Sequence, residues 1–400
     1  MFKKTVLLAF VVLAGFGVFA ESTGKDIFFT DKYKEWKNGP PADPNFFLLA
    51  VWGQQPVEAV KYKAAGINTY VSLWQGPKAG QIEQLKAAGM YLVCDQNGVG
   101  LAKKDDKTII AWMHGDEPDN AQAIPVKKGE KKQYGPFIKP AVIVNGYKNV
   151  KAKDTSRPVL LNLGCGVADD EWKGRGAGAK LSDYKDYSLG ADVVSFDVYP
   201  VVSKKGNGED NLWWQAKGLD RLKEMAGESK IRWNCIECTH INNAEKKPTS
   251  MQVKAEIWIS ILHGSKGIIY FCHQFAPKFD EKALLNDSGM LSSVTAINSQ
   301  ITSLAPVINS PDLEGVKVTS TKQEIPIEAV YKKYKGAEYI FSVPMRNGET
   351  SAKFEVSGLT GERTVEVIGE SRKLKSTAQG SFEDSFKPWQ VHLYKIGKVD

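Results

Sequence analysis

From Phe46 onward, apolar residues come in short, nearly unbroken runs separated by stretches of helical periodicity. Phe46–Trp52 (FFLLAVW) suits a strand buried on both faces. Pro56–Gly66 then carries apolar positions at helical spacing and stops at a glycine. The cycle repeats as strand Ile67–Trp74, helix Gly80–Gly89 and strand Met90–Asp95. Strand Ile109–Gly115 follows, with a helix from about Pro140 to Lys153 and strand Pro158–Leu163. The pattern continues with helix Asp183–Gly190, strand Ala191–Tyr199, helix Leu212–Ala226 and strand Ile231–Cys238. Helix Met251–His263, strand Gly267–Cys272 and helix Ser292–Leu304 complete it. Asn97–Lys107 hardly supports a full third helix. Eight strands alternating with helices predict an α/β fold, a closed (β/α)8 TIM barrel. No GxGxxG follows the first strand, so an open dinucleotide-binding sheet loses its usual support.

Past about Asp312 the helical periodicity fades into short alternating runs: Val316–Thr319, Ile327–Tyr331, Ala337–Val343, Ala352–Val356, Thr364–Ile368 and Val391–Ile396. Asn347-Gly348 between two of them predicts a hairpin turn. A small all-β sandwich is expected over 312–400, behind a barrel over 21–311. Residues 1–20 read as a signal peptide: Lys3 and Lys4, an apolar run from Thr5 to Phe19, then Val18-Phe19-Ala20. That run is too short for a confident membrane span. The mature protein is expected to be secreted or periplasmic, with no stable membrane span.

Hydrophobic residues make up 42% of the chain, so disorder is excluded and the core is ample. The net charge of +7 falls to +5 without the first twenty residues, and no basic run suits a duplex; nucleic acid is not expected as a partner. Of the five cysteines, Cys235 and Cys238 sit at CxxC spacing, but on a strand they face opposite sides. Buried free thiols are expected instead of a redox or metal pair.

Barrels of this kind keep their chemistry at the C-terminal strand ends. Those positions hold Trp52, Trp74, Asp95, Glu117, Asn162, Asp197, Tyr199, Glu237 and His273. Indoles stack on the apolar faces of sugar rings, and carboxylates and amides bind the hydroxyl rims. Glu117 ends strand four within AWMHGDEPD, and Glu237 ends strand seven within RWNCIEC. By strand alternation Trp233, Cys235 and Glu237 share one face. Two carboxyls across the mouth can flank one glycosidic bond, one protonating the leaving oxygen and one attacking the anomeric carbon. The five histidines form no HExxH or equivalent, so neither a catalytic metal nor a cofactor is expected. Lys127-Lys128-Gly-Glu-Lys-Lys132 could meet an anionic glycan, though such runs are more often solvated loops.

The eight-unit pattern, the glutamates on strands four and seven, Asp154-Thr-Ser-Arg-Pro-Val159 before strand five and Leu262-His-Gly-Ser-Lys-Gly-Ile-Ile-Tyr-Phe271 into strand eight together resemble the retaining glycoside hydrolase superfamily of clan A, in particular its β-galactosidase-like branch. The resemblance implies a poly- or oligosaccharide substrate, Glu117 as general acid/base and Glu237 as nucleophile. It also implies Tyr199 as a hydrogen-bond partner of the nucleophile. This sequence departs from the family in having Asp116 where Asn is usual, and His273 and Gln274 in place of a strand-eight Trp. Trp52, Trp74, Asp116, Asn162, Asp197, Tyr199 and His273 are the expected substrate-binding residues. The rival expectation is a non-catalytic glycan-binding surface protein on a decayed barrel.

Overall fold

The apolar runs form parallel strands in a computed structural model that describes residues 27–127, 129–171, 178–203 and 208–397. The expected signal peptide lies outside these residues. The strands are β1 Leu48–Trp52, β2 Thr69–Val71, β3 Tyr91–Asp95, β4 Ile109–Met113, β5 Val159–Leu163, β6 Val193–Phe196 and β8 Gly267–Phe271. Between the last two, β7 comes in two pieces, Ile231–Arg232 and Asn234–Glu237. Each strand pairs with the next in sequence, and β8 pairs back onto β1, Leu48 opposite Gly267. β7 closes the ring, because its first piece pairs with β6 and its second with β8. Between the pieces the Trp233 N–H donates to Val194 O at 3.0 Å. The expected closed barrel is therefore present.

Alternation sorts the strand residues into two layers. Ala50, Val93, Ala111, Leu160, Trp233 and Cys235 pack in the lumen. Ile236, Cys238, Tyr70 and Trp112 face the helices. The cysteines of the CxxC stretch therefore diverge, and all five thiols are free. The helices are α1 Ala59–Ala64, α2 Ala79–Ala87, α3 Gly98–Ala102, α4 Pro140–Lys153, α5 Asp183–Ser188, α6 Trp214–Ala226, α7 Ser250–Leu262, α8 Ala283–Asn286 and α9 Ser288–Asn309. The third is a five-residue remnant, as the weak periodicity implied. α9 is longer than its pattern, because Asp287 caps it by accepting from the Met290 N–H at 3.0 Å. Its far end brings Asn309 Nδ2 to the carbonyls of Pro44 and Phe46, at 2.8 and 2.9 Å, which seats the entry to β1. α6 lies tight on β6 because Gly218 has no Cβ; one there would stand 2.2 Å from Phe196 Cζ.

Several tryptophans are structural. Trp112, Trp233 and Trp258 are fully buried. Trp112 Nε1 donates to Asp154 Oδ2 at 2.9 Å, beneath the fully buried Arg157 guanidinium, which Asp154 pairs at 2.8 Å. The segment before β5 thus carries a buried ion pair at the foot of the barrel, far from the mouth. Trp213 packs under Arg346, whose guanidinium lies 4.6 Å from the ring centroid.

The C-terminal strands are β9 Val316–Ser320, β10 Ile327–Tyr334, β11 Ala337–Pro344, β12 Thr350–Val356, β13 Thr364–Val367, β14 Arg372–Lys375, β15 Ser381–Phe386 and β16 His392–Ile396. They form a three-stranded sheet, β9-β12-β15, against a five-stranded one, β10-β11-β16-β13-β14. β14 and β15 escaped the sequence pattern. The turn at Asn347-Gly348 does not make the expected hairpin: β11 and β12 belong to opposite sheets. The chain reverses there, but the buried faces of both strands point into the space between the sheets. Trp258 of α7 meets Phe341 of β11 edge-on at 5.0 Å, so barrel and sandwich share a core.

His263, at the end of α7, also ties the two parts together. Its Nδ1 lies 2.9 Å from Asp220 on α6 and its Nε2 lies 2.8 Å from Glu328 on β10. Burial lowers its pKa, but the two carboxylates outweigh that and raise it from 6.5 to about 9. A raised histidine contributes stability that is complete below its unfolded pKa and disappears as pH passes the folded one. The thermal midpoint is therefore expected to fall between pH 6.5 and about 9, and His263→Gln to flatten that slope. Parallel pH profiles of the two proteins would count against this linkage.

Candidate active site

An open cleft of about 550 Å³ sits at the C-terminal mouth of the barrel. Trp52, Trp74, Asp116, Glu117, Asp197, Tyr199 and His273 line it together, so seven of the nine expected site residues converge. The strand-end logic works here because each residue lies at, or within a few positions beyond, the end of β1, β2, β4, β6 or β8. The cleft also holds Phe271, Phe275, Ile241, Asn242, Asn120 and Cys165, which sequence reasoning did not single out. Phe271 ends β8 and was within reach of the strand-end rule; the others lie on loops whose paths no periodicity specifies.

Asn162 departs from its expected role. It is buried in β5 and does not line the cleft. Ser195 Oγ donates to its Oδ1 at 2.7 Å, which fixes the amide orientation. Its Nδ2 then donates to Asp116 Oδ1 at 2.9 Å and to Asp197 Oδ1 at 3.1 Å. One donor thus holds two carboxyls from different strands, and their bonded oxygens stay within about 6 Å of each other.

Glu237 also departs. It is completely buried and absent from the cleft lining. Its Oε1 accepts from the Val201 N–H at 2.6 Å and its Oε2 from the Val202 N–H at 3.0 Å. Strand parity predicts a lumen-facing carboxyl, but the loop after β6 folds back and takes both oxygens. Glu256 of α7 lies beside it, held by Gln215 Nε2 at 2.8 Å. Burial pushes both carboxyls above the usual range.

Glu117 is held in an unusual backbone conformation, φ +43°, between Gly115 and Pro118. Its N–H donates to Asn162 O at 3.1 Å, and Asn120 Nδ2 donates to its Oε2 at 3.1 Å. Gly164 makes room for it, since a Cβ there would stand 3.2 Å from Glu117 Oε1. Ser72, Gln75 and Ile241 share the positive φ, so four of the seven such non-glycine residues among the described residues line this cleft. Such backbone strain persists where surrounding structure imposes it, and it gathers at functional sites.

Three carboxyls, Asp116, Glu117 and Asp197, share this cleft. Burial raises the Asp197 pKa well above the carboxylate range, and the nearby Glu117 and Asp116 charges add to it. Behind them Asp119 is pushed up to about 6, mainly by burial, although it accepts from the Gly164 N–H and the Tyr184 hydroxyl. Burial pushes the His273 pKa down, which keeps its ring neutral. Burial and the neighbouring carboxyls thus both favour the protonated form of Asp197. Among the described residues no three His, Cys, Asp or Glu side chains converge as metal ligands would.

No protein-family model matches the sequence, and no curated protein matches it. Solved structures share the fold. A GH42 β-galactosidase from G. stearothermophilus superposes with a TM-score of 0.57 over 92% of this chain and 100% of its own, at 9% identity. An Anoxybacillus α-amylase gives 0.54 over 90% and 99%, at 7% identity. The α-amylase from Geobacillus thermoleovorans, complexed with acarbose, gives 0.53 over 89% and 99%, at 10% identity. The chain thus has the fold of the barrel glycoside hydrolases that carry a β-domain after the barrel.

Proposed function

We propose that this protein is an exported glycoside hydrolase that cleaves a poly- or oligosaccharide with retention of configuration, using Asp197 as acid/base and Asp116 as nucleophile. The observation that carries the reading is the Asn162 amide shared by these two carboxyls at the cleft floor. Retaining enzymes hold their two carboxyl groups roughly 5–5.5 Å apart, and a single shared donor enforces a spacing of that order. Asp197, whose protonated form burial favours, gives its proton to the leaving glycosidic oxygen. The Asp116 carboxylate attacks the anomeric carbon and forms a glycosyl ester. Water, deprotonated by the Asp197 carboxylate, then hydrolyses that ester and restores both groups.

Glu117 keeps a place beside the chemistry in this scheme. Its charge favours the protonated form of Asp197, and its fixed carboxylate can accept a sugar hydroxyl. Trp52, Trp74 and Tyr199 offer faces for the ring. The fold shared with a β-galactosidase and with α-amylases supports a carbohydrate substrate.

Asp197→Asn is expected to slow hydrolysis of natural linkages by roughly 10²–10⁴, with a much smaller loss on aryl glycosides whose leaving groups need no proton. Asp116→Ala with azide is expected to yield a glycosyl azide of configuration opposite to the substrate. Wild-type protein that binds glycans and hydrolyses nothing across a broad substrate panel would instead support the decayed-barrel reading. Kinetics also separate this scheme from one built on Glu237. Glu237→Gln leaves one of two buried amides without its acceptor, so urea unfolding is expected to show a loss of about 1–3 kcal/mol, with kcat within about tenfold. An undiminished stability with activity lost by about 10⁴ would return Glu237 to the chemistry.

A further inference from the structure

One wall of the cleft continues past its edge as a chain of aromatic rings. Tyr199, on the floor, lies 5.3 Å from Phe271 between ring centroids. Phe271 lies 5.3 Å from His273 and 6.3 Å from Phe275. The His273 and Phe275 rings are nearly parallel, 7° apart in plane at 6.0 Å, and Phe279 follows Phe275 at 5.8 Å. The outer rings are bare: Phe275 is 49% exposed and Phe279 59% exposed. Phe279 is already beyond the cleft lining. Across β1 from them Trp74, on the loop after β2, is 70% exposed.

Exposed rings on a loose loop would fold onto the surface, but this loop is braced. Gln274 and Asp280 pair antiparallel, exchanging N–H···O bonds of 2.9 and 2.8 Å. Gln274 Nε2 donates to Lys278 O at 3.1 Å, and Asn286 Nδ2 donates to Asp280 Oδ2 at 2.8 Å. The Phe275 and Ala276 N–H groups both donate to Ile241 O, which fastens the loop to the one after β7. The backbone therefore holds apolar faces in water, at a cost that folding alone does not require. Offset rings at intervals of 5–6 Å make a continuous apolar strip, and its steps are of the order of a sugar ring.

We infer that this strip is the track for an extended glycan chain, with several sugar units held beyond the cleaved bond on the β8 side. The inference rests on the proposed glycosidase reading for what happens at the inner end, but the track itself is a binding surface. The substrate is then a polymer or long oligosaccharide, since a terminal disaccharide would leave Phe275 and Phe279 uncovered. Carbohydrate C–H faces lie on the rings, and hydroxyl rims face solvent.

The test uses the full protein with Asp197→Asn to suppress turnover. Affinity gel electrophoresis through soluble amylose, xylan and β-1,4-galactan measures retardation for this variant, and for it combined with Phe279→Ala or with Phe275→Ala and Phe279→Ala. Retardation in at least one gel is expected, weakened about tenfold by Phe279→Ala and further by the double change. In otherwise wild-type protein, Phe279→Ala is expected to lower the ratio of kcat/KM on polysaccharide to that on an aryl glycoside by about tenfold. Circular dichroism and thermal midpoints check that the variants fold. Equal retardation with and without the rings overturns the track. So does an absence of retardation in all three gels while the wild type hydrolyses aryl glycosides, which leaves the glycosidase reading standing. Ring-dependent retardation with no hydrolysis of any substrate would keep the track and remove the glycosidase reading.

Discussion

The barrel is closed by β7, and the way that strand is held governs the mouth above it. Its first two residues pair with β6 and its last four with β8, so the ring depends on a strand that changes partner at Trp233. At its upper end Glu237 spends both oxygens on the Val201 and Val202 amides of the loop after β6. That loop follows directly from Asp197 and Tyr199. A buried carboxyl beside a second one, Glu256, is an expensive way to pin a loop. Two backbone donors and the Gln215 amide satisfy much of the hydrogen bonding at the pair. The position of the cleft acid thus rests on a neighbouring acid that never reaches the cleft.

Much of this was legible in the sequence, and the failures have specific causes. Runs such as FFLLAVW and the glycine-stopped periodic stretches report burial, which is what distinguishes barrel strands from their helices. Strand ends then located Trp52, Trp74, Glu117, Asp197, Tyr199 and His273 within one cleft, and the family resemblance added Asp116. Parity predicts that Glu237 leaves β7 on the lumen side, where Trp233 and Cys235 pack. It could not say that a distant loop would offer two N–H groups to a side chain at the last strand position. Asn162 failed for a related reason: its amide is spent on Asp116 and Asp197 before any ligand arrives. In the sandwich, β14 and β15 were hidden because RKLK and SFEDSF carry charges on the solvent face and few apolar residues on the other. The Asn347-Gly348 signal was read correctly as a reversal and wrongly as a pairing, since a turn dictates direction and not the sheet that the next strand joins.

Backbone strain and electrostatics meet at the same place. Ser72, Gln75, Glu117 and Ile241 adopt conformations that cost free energy, and they do so around carboxyls whose mutual repulsion also costs free energy. Neither feature helps the barrel fold, and both are held by ordinary parts of it: the Asn162 amide, the Asn120 amide and the space left by Gly164. A rigid frame that holds both costs in one cleft is the physical ground for the ligand-binding role proposed above.

The ligand would also complete the electrostatics. Solvent reaching an open cleft screens the charges of Asp116 and Glu117 as seen from Asp197. A sugar ring laid against Tyr199 and Trp52 would displace that water with C–H surface, lowering the local dielectric and strengthening the hold of Asp197 on its proton. The proton would then be lost only to a group that becomes basic within the cleft, which is what a departing glycosidic oxygen does. In the proposed scheme, binding along the aromatic wall and retention of the proton would be one arrangement, which the exposed rings outside the cleft would extend to a longer chain.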